Sequence, residues 1–188
     1  MNKSREDNRI STKDITLIAV FAAFIVVCSF ITIPVGTVPF TMQTFAVFVT
    51  AALLGTKRGT MTVVIYILMG AIGLPVFHGT GGVGVLLGNT GGYILGFILT
   101  ALAIGVINEK IKMNSKVGKM ILLATSMLVG DVLCFIVGTI HFMNITGMDL
   151  KTSLAYCVIP FIIPDVAKIV VATFFVERVK KVLSQIMG

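Results

Sequence analysis

Six long apolar runs are the feature of this sequence that most restricts its fold. About 17–25 consecutive, mainly apolar residues are enough to cross the hydrocarbon core of a bilayer as a helix. The runs cover residues 15–33, 41–54, 59–73, 91–107, 117–141 and 153–176. The second and third are short for a full crossing, which tilt or a start inside the flanking loops would explain. The pattern predicts an all-α integral membrane protein with six transmembrane helices.

The composition excludes an ordinary soluble domain. Hydrophobic residues make up 56% of the chain and charged residues only 12%, whereas about 25% charged residues is typical of soluble domains. The three cysteines all lie inside apolar runs. Their positions indicate neither a disulfide framework nor a metal site, so we expect no metal and no cofactor.

The distribution of basic residues predicts the orientation of the chain. The net charge of +7 could suggest nucleic-acid binding, but 13 of the 15 basic residues lie in segments that would share one side of a six-helix protein. Cytoplasmic segments of membrane proteins carry such an excess. We therefore expect both termini in the cytoplasm and no nucleic-acid partner. These residues are Lys3, Arg5, Arg9, Lys13, Lys57, Arg58, Lys110, Lys112, Lys116, Lys119, Arg178, Lys180 and Lys181.

The same pattern divides the chain into three parts. Residues 1–14 form a basic cytoplasmic segment, residues 15–182 form a single six-helix transmembrane domain, and residues 183–188 form a cytoplasmic tail. No separate extramembrane domain is expected.

The two outer loops are unusually apolar. Residues 34–44 carry no formal charge and contain two prolines, which prevent regular helix. Residues 79–92 include seven glycines, interleaved with valine and leucine. Glycine lets a chain adopt positive φ and approach a ligand closely. We interpret both loops as ordered lids that cap a ligand pocket from outside.

The glycine-rich loop has two other interpretations. A phosphate-binding loop would end in Gly-Lys-Ser/Thr between a strand and a helix, and this segment has neither feature. A flexible surface turn is the plainer alternative. A ligand-facing lid is favoured because Asn89 and Tyr93, which follow directly, supply an amide and a phenol for hydrogen bonding.

Asp165 and Lys168 lie three residues apart in the sixth apolar run, after Pro160 and Pro164. A charge at the bilayer centre costs about 2.5–3.5 kcal/mol on insertion scales. Prolines that break the helix there would leave backbone that is tolerated only where it is buried or lines a cavity. Side chains at i and i+3 share one face, so a buried ion pair is the structural alternative. We favour a polar pocket, and the two interpretations are compatible.

Other polar and small residues allow more than one interpretation. Asp131 in the fifth run could hydrogen-bond between helices or line a cavity, and both stay open. His78 and His141 lie near the outer face and are interpreted as interfacial. Ala19 and Ala23 have a spacing that allows close helix packing, either inside the chain or with a partner.

The sequence has no sign of an enzyme. It contains no nucleotide-binding motif, metal-ligand cluster or nucleophile with an adjacent base. If the protein moves a solute uphill, we expect another protein to supply the energy.

Five segments together carry a family resemblance. They are Val-Pro-Phe-Thr-Met-Gln-Thr-Phe-Ala-Val (38–47), Leu-Gly-Thr-Lys-Arg-Gly (54–59), Gly-Ala-Ile-Gly-Leu-Pro-Val-Phe (70–77), Gly-Asn-Thr-Gly-Gly-Tyr-Ile-Leu-Gly-Phe (88–97) and Pro-Phe-Ile-Ile-Pro-Asp-Val-Ala-Lys (160–168). With these motifs the chain resembles the BioY family, the biotin-specific substrate-binding (S) subunits of energy-coupling factor (ECF) transporters. The resemblance extends from about residue 15 to residue 182.

The resemblance implies a fold, a ligand and partners. It implies six helices with both termini inside, in a prokaryotic cell membrane, and biotin bound at the outer face under the two lids. It also implies a transmembrane coupling subunit, which would dock on the Ala-x-x-x-Ala pattern of Ala19 and Ala23, and two cytoplasmic ATPases. Asp131 departs from what we can match to the family.

The ligand that the resemblance implies fits the candidate site residues. Biotin carries a ureido carbonyl between two N–H donors, a thioether ring and a tail that ends in a carboxylate. Asp165 would accept from a ureido N–H and Lys168 would donate to the carbonyl; in the competing assignment Lys168 binds the tail carboxylate. The remaining predicted ligand-binding residues are Phe40, Gln43, Gly88, Asn89 and Tyr93.

Two alternative functions remain at this point. The chain could be an S subunit or a stand-alone carrier for another small vitamin on the same fold. It could also have a role outside transport, such as membrane-protein assembly, in which case no small molecule would bind.

Overall fold

The computed structural model describes residues 11–33 and 38–187, with side chains through residue 182. The basic residues Lys3, Arg5 and Arg9, the loop residues 34–37 and the side chains of the predicted tail 183–188 lie outside the described residues.

The described part of the chain is built almost entirely from helices. It contains α1 (Thr12–Phe30), β1 (Thr32–Ile33), β2 (Phe40–Thr41), α2 (Gln43–Ala71), α3 (Val83–Leu86), α4 (Gly91–Lys110), α5 (Lys116–Thr146), α6 (Leu150–Cys157) and α7 (Ile159–Met187). The all-α prediction is therefore confirmed, with one small two-stranded addition. In that addition Thr32 pairs with Thr41 and Ile33 with Phe40, antiparallel.

Five helices among the described residues are long and apolar enough to cross a membrane. They are α1, α2, α4, α5 and residues Ile159–Val182 of α7. The predicted second and third runs, 41–54 and 59–73, both fall within α2. This accounts for five long helices where the sequence has six apolar runs.

Helix α2 reverses direction at Gly55, which has φ 76° and ψ −172°. Gln43 Nε2 donates a hydrogen bond of 3.0 Å to Tyr66 Oη, although 23 residues on a straight helix would span about 35 Å. Residues 43–54 and 56–71 are therefore two antiparallel arms. The sequence prediction of two helices joined near Lys57 and Arg58 agrees with this geometry.

Glu109 at the end of α4 fixes the turn between the arms. Its carboxylate accepts from the Thr56 backbone N–H at 2.8 Å and from Thr56 Oγ1 at 2.7 Å. A carboxylate at the start of a helix satisfies backbone N–H groups that have no partner within the helix. Gly105 lets the two backbones meet, because a Cβ there would collide with Thr56.

The predicted sixth run, 153–176, is not a single helix. Helix α6 ends at Cys157 and α7 starts at Ile159. Between them, Val158 leaves the helical conformation, with φ −124° and ψ −57°. Pro160 is in the first turn of α7, where a missing N–H costs little. Pro164 lies inside α7, so the expectation that this proline breaks the helix was wrong.

The basic segments meet at one end of the bundle. Arg58 Nε forms a 2.8 Å ion pair with Asp14 Oδ1, which joins the start of α1 to the turn of α2. At the same end, Lys112, Lys119 and Lys180 line a cavity between α4, α5 and α7. The spatial clustering agrees with the charge pattern of the sequence.

The sides of the bundle are apolar and exposed. Val27 of α1, Ile140 of α5 and Phe174 of α7 are among many large hydrophobic side chains that the protein leaves uncovered. Soluble monomers rarely expose apolar surface on this scale. A lipid environment removes the cost of exposing it.

We expect Gly55→Ala to destabilise the protein. A non-glycine residue in this backbone conformation costs about 1–3 kcal/mol, and the added Cβ would also approach the Glu109 carboxylate. Thermal unfolding of the detergent-solubilised protein should show a clearly lower Tm. Gly84→Ala is the control, because a Cβ there has no neighbour within 4 Å. Equal Tm values for the two variants would contradict the role assigned to Gly55.

Candidate functional site

A pocket opens at the end of the bundle opposite the basic segments. It encloses about 600 Å³ of space, the open mouth included. Its wall is formed by the two residues before β2, by β2, by the starts of α2, α4 and α7, by the C-terminal half of α5, by the end of α6 and by residues of the loop before α4. Its apolar wall is formed by Val38, Pro39, Ile94, Phe97, Phe135 and Phe161, with Cys134 and Cys157, and its polar groups are Thr41, Gln43, Thr44, His78, Thr90, Tyr93, Asp131, Asp165 and Lys168.

The charged pair of α7 lies inside this pocket. Lys168 Nζ is 2.7 Å from Asp165 Oδ1, and the two side chains are 6% and 4% exposed. Burying two charges is rarely favourable for stability alone. The i, i+3 spacing thus produces the ion pair that the sequence suggested, and it is in a position to meet a ligand.

Thr44 of α2 completes a polar cluster that the sequence did not predict. Lys168 Nζ donates to Thr44 Oγ1 at 2.7 Å, and Thr44 Oγ1 is 3.4 Å from Asp165 Oδ1. The Phe40 ring lies with its centroid 4.1 Å from Lys168 Nζ, a cation–π contact. The ammonium is therefore held by groups from β2, α2 and α7.

A second hydrogen-bond network ties the pocket to the second outer loop. Tyr66 Oη accepts from Gln43 Nε2 and donates to the Val76 carbonyl at 3.1 Å. Ser29 Oγ donates to the same carbonyl at 2.8 Å and accepts from the His78 backbone N–H. The base of the loop is thereby fixed to α1 and to both arms of α2.

His78 was interpreted from sequence as interfacial, but its side chain lines the pocket. Its backbone has a φ of 41°, uncommon for a residue with a side chain. Burial lowers the pKa of the His78 imidazole and so favours the neutral form of the ring.

Tyr93 packs deep in the wall at the start of α4. Its hydroxyl is 3.4 Å from Thr139 Oγ1 of α5. The ring lies directly against Gly138, where any side chain would collide with it. The small residue on α5 thus makes room for the aromatic ring on α4.

The structure brings some predicted ligand residues together and leaves others apart. Asp165, Lys168, Gln43 and Tyr93 line the pocket. Phe40 contacts Lys168 but lines an adjoining groove with Ile33, Pro160, Phe161 and Pro164.

Gly88 and Asn89 are not part of the pocket wall, although the next residue, Thr90, is. The Gly88 carbonyl is 3.1 Å from His141 Nε2, which links the second outer loop to α5.

Asp131 is a lining residue whose position the sequence left open. It is 4% exposed and lies among the pocket residues of α5. The sequence already showed an acid inside an apolar run. Only the folded structure shows that this acid lines the pocket.

The described residues contain no cluster of three or more metal-ligating side chains. Cys28, Cys134 and Cys157 are buried and unpaired. The arrangement is that of a binding pocket with charged and hydrogen-bonding groups set in an apolar wall.

Comparison with known proteins identifies the family. The model of the BioY family matches residues 1–185. A biotin transporter BioY of Thermotoga maritima is 42% identical over 163 residues, which cover 86% of this chain and 92% of the relative. A probable biotin transporter BioY of Pyrococcus horikoshii is 31% identical over 172 residues, 91% of this chain and 98% of the relative. The chain belongs to the BioY family.

A solved structure shares the fold. The crystal structure of the S-component for biotin from an ECF-type ABC transporter aligns with a TM-score of 0.81 and 32% sequence identity, covering 90% of this chain and 91% of that chain. The family-level prediction from the sequence motifs is confirmed.

We expect Lys168→Met to destabilise the ligand-free protein by about 3–5 kcal/mol, because it leaves the buried Asp165 carboxylate without its cation. The double variant Asp165→Asn/Lys168→Met should recover much of this loss. Unfolding measurements in detergent compare the two, with Lys151→Met, an exposed lysine, as the control. If the double variant is no more stable than Lys168→Met, the claim that the loss of stability comes from an unpaired Asp165 carboxylate is wrong.

Proposed function

We propose that this BioY-family chain binds biotin and is the substrate-binding component of an ECF transporter that takes up biotin across the prokaryotic cell membrane. The cluster of Thr44, Asp165 and Lys168 in a largely apolar pocket carries the proposal. The names of the relatives, biotin transporter BioY and biotin S-component, support the choice of ligand.

The cluster has unused hydrogen-bonding capacity that suits a ureido group. Lys168 Nζ donates to Asp165 Oδ1 and Thr44 Oγ1, and an ammonium has a third hydrogen to give. The hydrogen bonds that Asp165 accepts from Lys168 and Thr44 both end on Oδ1, so Oδ2 is the oxygen we assign to the ligand. A ureido carbonyl would accept from Lys168, and the neighbouring N–H would donate to Asp165.

The rest of the pocket suits the remainder of biotin. Tyr93, Phe97 and Phe161 offer apolar faces to the fused rings. Gln43 lines the wall, and its amide is oriented by Tyr66. Gly88 and Asn89, beside the lining residue Thr90, would contact the ligand from the lid, and Phe40 would act by positioning Lys168.

We further propose that the chain crosses the membrane six times. Each arm of α2 would be one crossing, in addition to α1, α4, α5 and α7. The end that carries Arg58, Lys112, Lys119 and Lys180 would face the cytoplasm, since basic residues are enriched there. The pocket would then open to the outside, with both termini inside.

The chain would depend on partners for energy. Ala19 and Ala23 lie one turn apart on α1, and both are exposed. Small residues at this spacing let another helix approach closely, so we assign this face to the transmembrane coupling subunit. Two cytoplasmic ATPase subunits would supply the energy, and the chain itself would be a binding subunit without enzymatic activity.

Calorimetric titration of the detergent-solubilised protein with biotin tests the ligand. We expect tight one-to-one binding, weakened at least tenfold (about 1.4 kcal/mol) by Asp165→Asn, because the amide loses the charge that attracts the N–H. Asp149→Asn is the matched control. That residue caps α6, is exposed, and lies outside the pocket.

The outcomes separate ligand from site. Tight binding that Asp165→Asn does not weaken would keep biotin as the ligand and overturn the assigned site. No heat from folded wild-type protein would overturn biotin itself, and a panel of other small vitamins would follow.

Biotin methyl ester separates the two assignments of Lys168. If Lys168 binds the ureido carbonyl, the ester should still bind, and Lys168→Ala should weaken biotin and ester by the same factor. Competition against labelled biotin measures both. If esterification abolishes binding and Lys168→Ala adds no further loss, Lys168 binds the tail carboxylate instead.

A further inference from the structure

Asp131 is an acidic group of the pocket that the ureido assignment does not use. It lies midway along α5, is 4% exposed, and lines the same pocket as Asp165 and Lys168. Keeping an acid at this depth in an apolar helix is costly. Its hydrogen-bonding partners therefore decide what it does.

Among the described residues, no protein group hydrogen-bonds to Asp131 Oδ1, which is buried. The ion pairs of Arg58 with Asp14 and of Lys168 with Asp165 do not include it. Neighbouring hydroxyls differ in this respect. Thr100 Oγ1 donates to the Gly130 carbonyl, and Ser126 Oγ donates to the Leu123 carbonyl. In the described part of the protein, Asp131 Oδ1 is thus left without the hydrogen bond to another helix that a cross-link would need.

The packing of α5 against α7 places Asp131 level with Lys168. The helices run antiparallel, since α5 leaves the basic end and α7 returns to it. They touch where Thr173 Oγ1 lies 3.9 Å from Met127 Sδ. One turn further toward the pocket is about 6 Å on each helix, which reaches Asp131 on α5 and residues 168–169 on α7. The pocket therefore holds two carboxyl groups and one ammonium at similar depth.

We infer that Asp131 is a specificity-determining ligand contact that accepts a hydrogen bond from the second ureido N–H. This inference rests on the proposed biotin-binding function. Asp165 and Lys168 account for one N–H and the carbonyl, and the ureido group has one N–H left. A cyclic urea presents one hydrogen-bond acceptor between two donors. Lys168 as the donor, with Asp165 and Asp131 as the two acceptors, would match that pattern. The ligand class is a cyclic urea with both nitrogens unsubstituted.

The unsatisfied state of Asp131 contributes to selectivity. A site with buried polar groups rejects a ligand that leaves them unpaired far more strongly than an apolar pocket rejects a missing methylene. A ligand with one N–H blocked would leave a carboxylate buried without a donor. The apolar wall around the cluster would offer it no substitute.

The test is calorimetric titration of wild type, Asp131→Asn and Asp165→Asn with biotin and with the two biotins that carry one methyl on either ureido nitrogen. We expect Asp131→Asn to weaken biotin at least tenfold. When the methyl blocks the N–H assigned to Asp131, wild type and Asp131→Asn should bind the ligand with the same reduced affinity. When it blocks the N–H assigned to Asp165, Asp131→Asn should still lower the affinity at least tenfold relative to wild type. Desthiobiotin keeps the urea and lacks the thioether ring. Asp131→Asn should therefore weaken the binding of desthiobiotin by the same factor as the binding of biotin. Asp149→Asn is again the control.

Three results would overturn the inference while the biotin function stands. They are biotin binding by Asp131→Asn as tight as by wild type, an equal loss for biotin and both methylated ligands, and tight wild-type binding of both methylated ligands. The last needs no variant, so it decides the matter even if Asp131→Asn does not fold. Failure of wild type to bind biotin at all would instead overturn the proposed function.

Discussion

The absence of water inside a bilayer is the constraint on which the rest of this structure depends. Every polar group placed there needs a partner from the protein. Most described side chains meet that need locally: Thr62 and Thr173 donate to carbonyls one turn earlier in their own helices. Asp165 and Lys168 satisfy each other and share Thr44. These charges are grouped under the outer loops, away from the lipid-facing sides, where a ligand can repay the cost of burying them.

The sequence predicted the helices well because hydrophobic length and basic clusters are properties of single segments. Runs 91–107 and 117–141 correspond to α4 and α5. The basic pair Lys57 and Arg58, which separates the second run from the third, lies next to the turn at Gly55. Two features escaped prediction. The pairing of β1 with β2 joins residues seven to nine positions apart in the sequence, which the hydrophobicity of a single segment does not reveal. The break at Val158 comes before the prolines that suggested it, because Pro160 is accommodated in a first turn and Pro164 within α7.

The site was predictable where its chemistry lies on one element. Asp165 and Lys168 are three residues apart, so their shared face follows from helix geometry. Thr44 comes from α2 and Asp131 from α5, and neither position can be related to α7 without the packing of the bundle. Gly88 and Asn89 lie beside the lining residue Thr90 but outside the pocket wall of the ligand-free protein, so their assignment as ligand contacts stays a prediction.

The hydrogen bonds beneath the second outer loop explain how an open pocket can already be organised. The Val76 carbonyl accepts hydrogen bonds from the hydroxyls of Tyr66 and Ser29, so the loop is anchored to two helices before any ligand binds. The same Tyr66 orients Gln43 in the pocket wall. A ligand that enters this site therefore orders few protein groups, and the entropy cost of binding is correspondingly small. The unsatisfied oxygen of Asp131 adds a second advantage, since a matching donor relieves a cost that the empty protein bears. Together these two features favour tight and selective binding in the pocket.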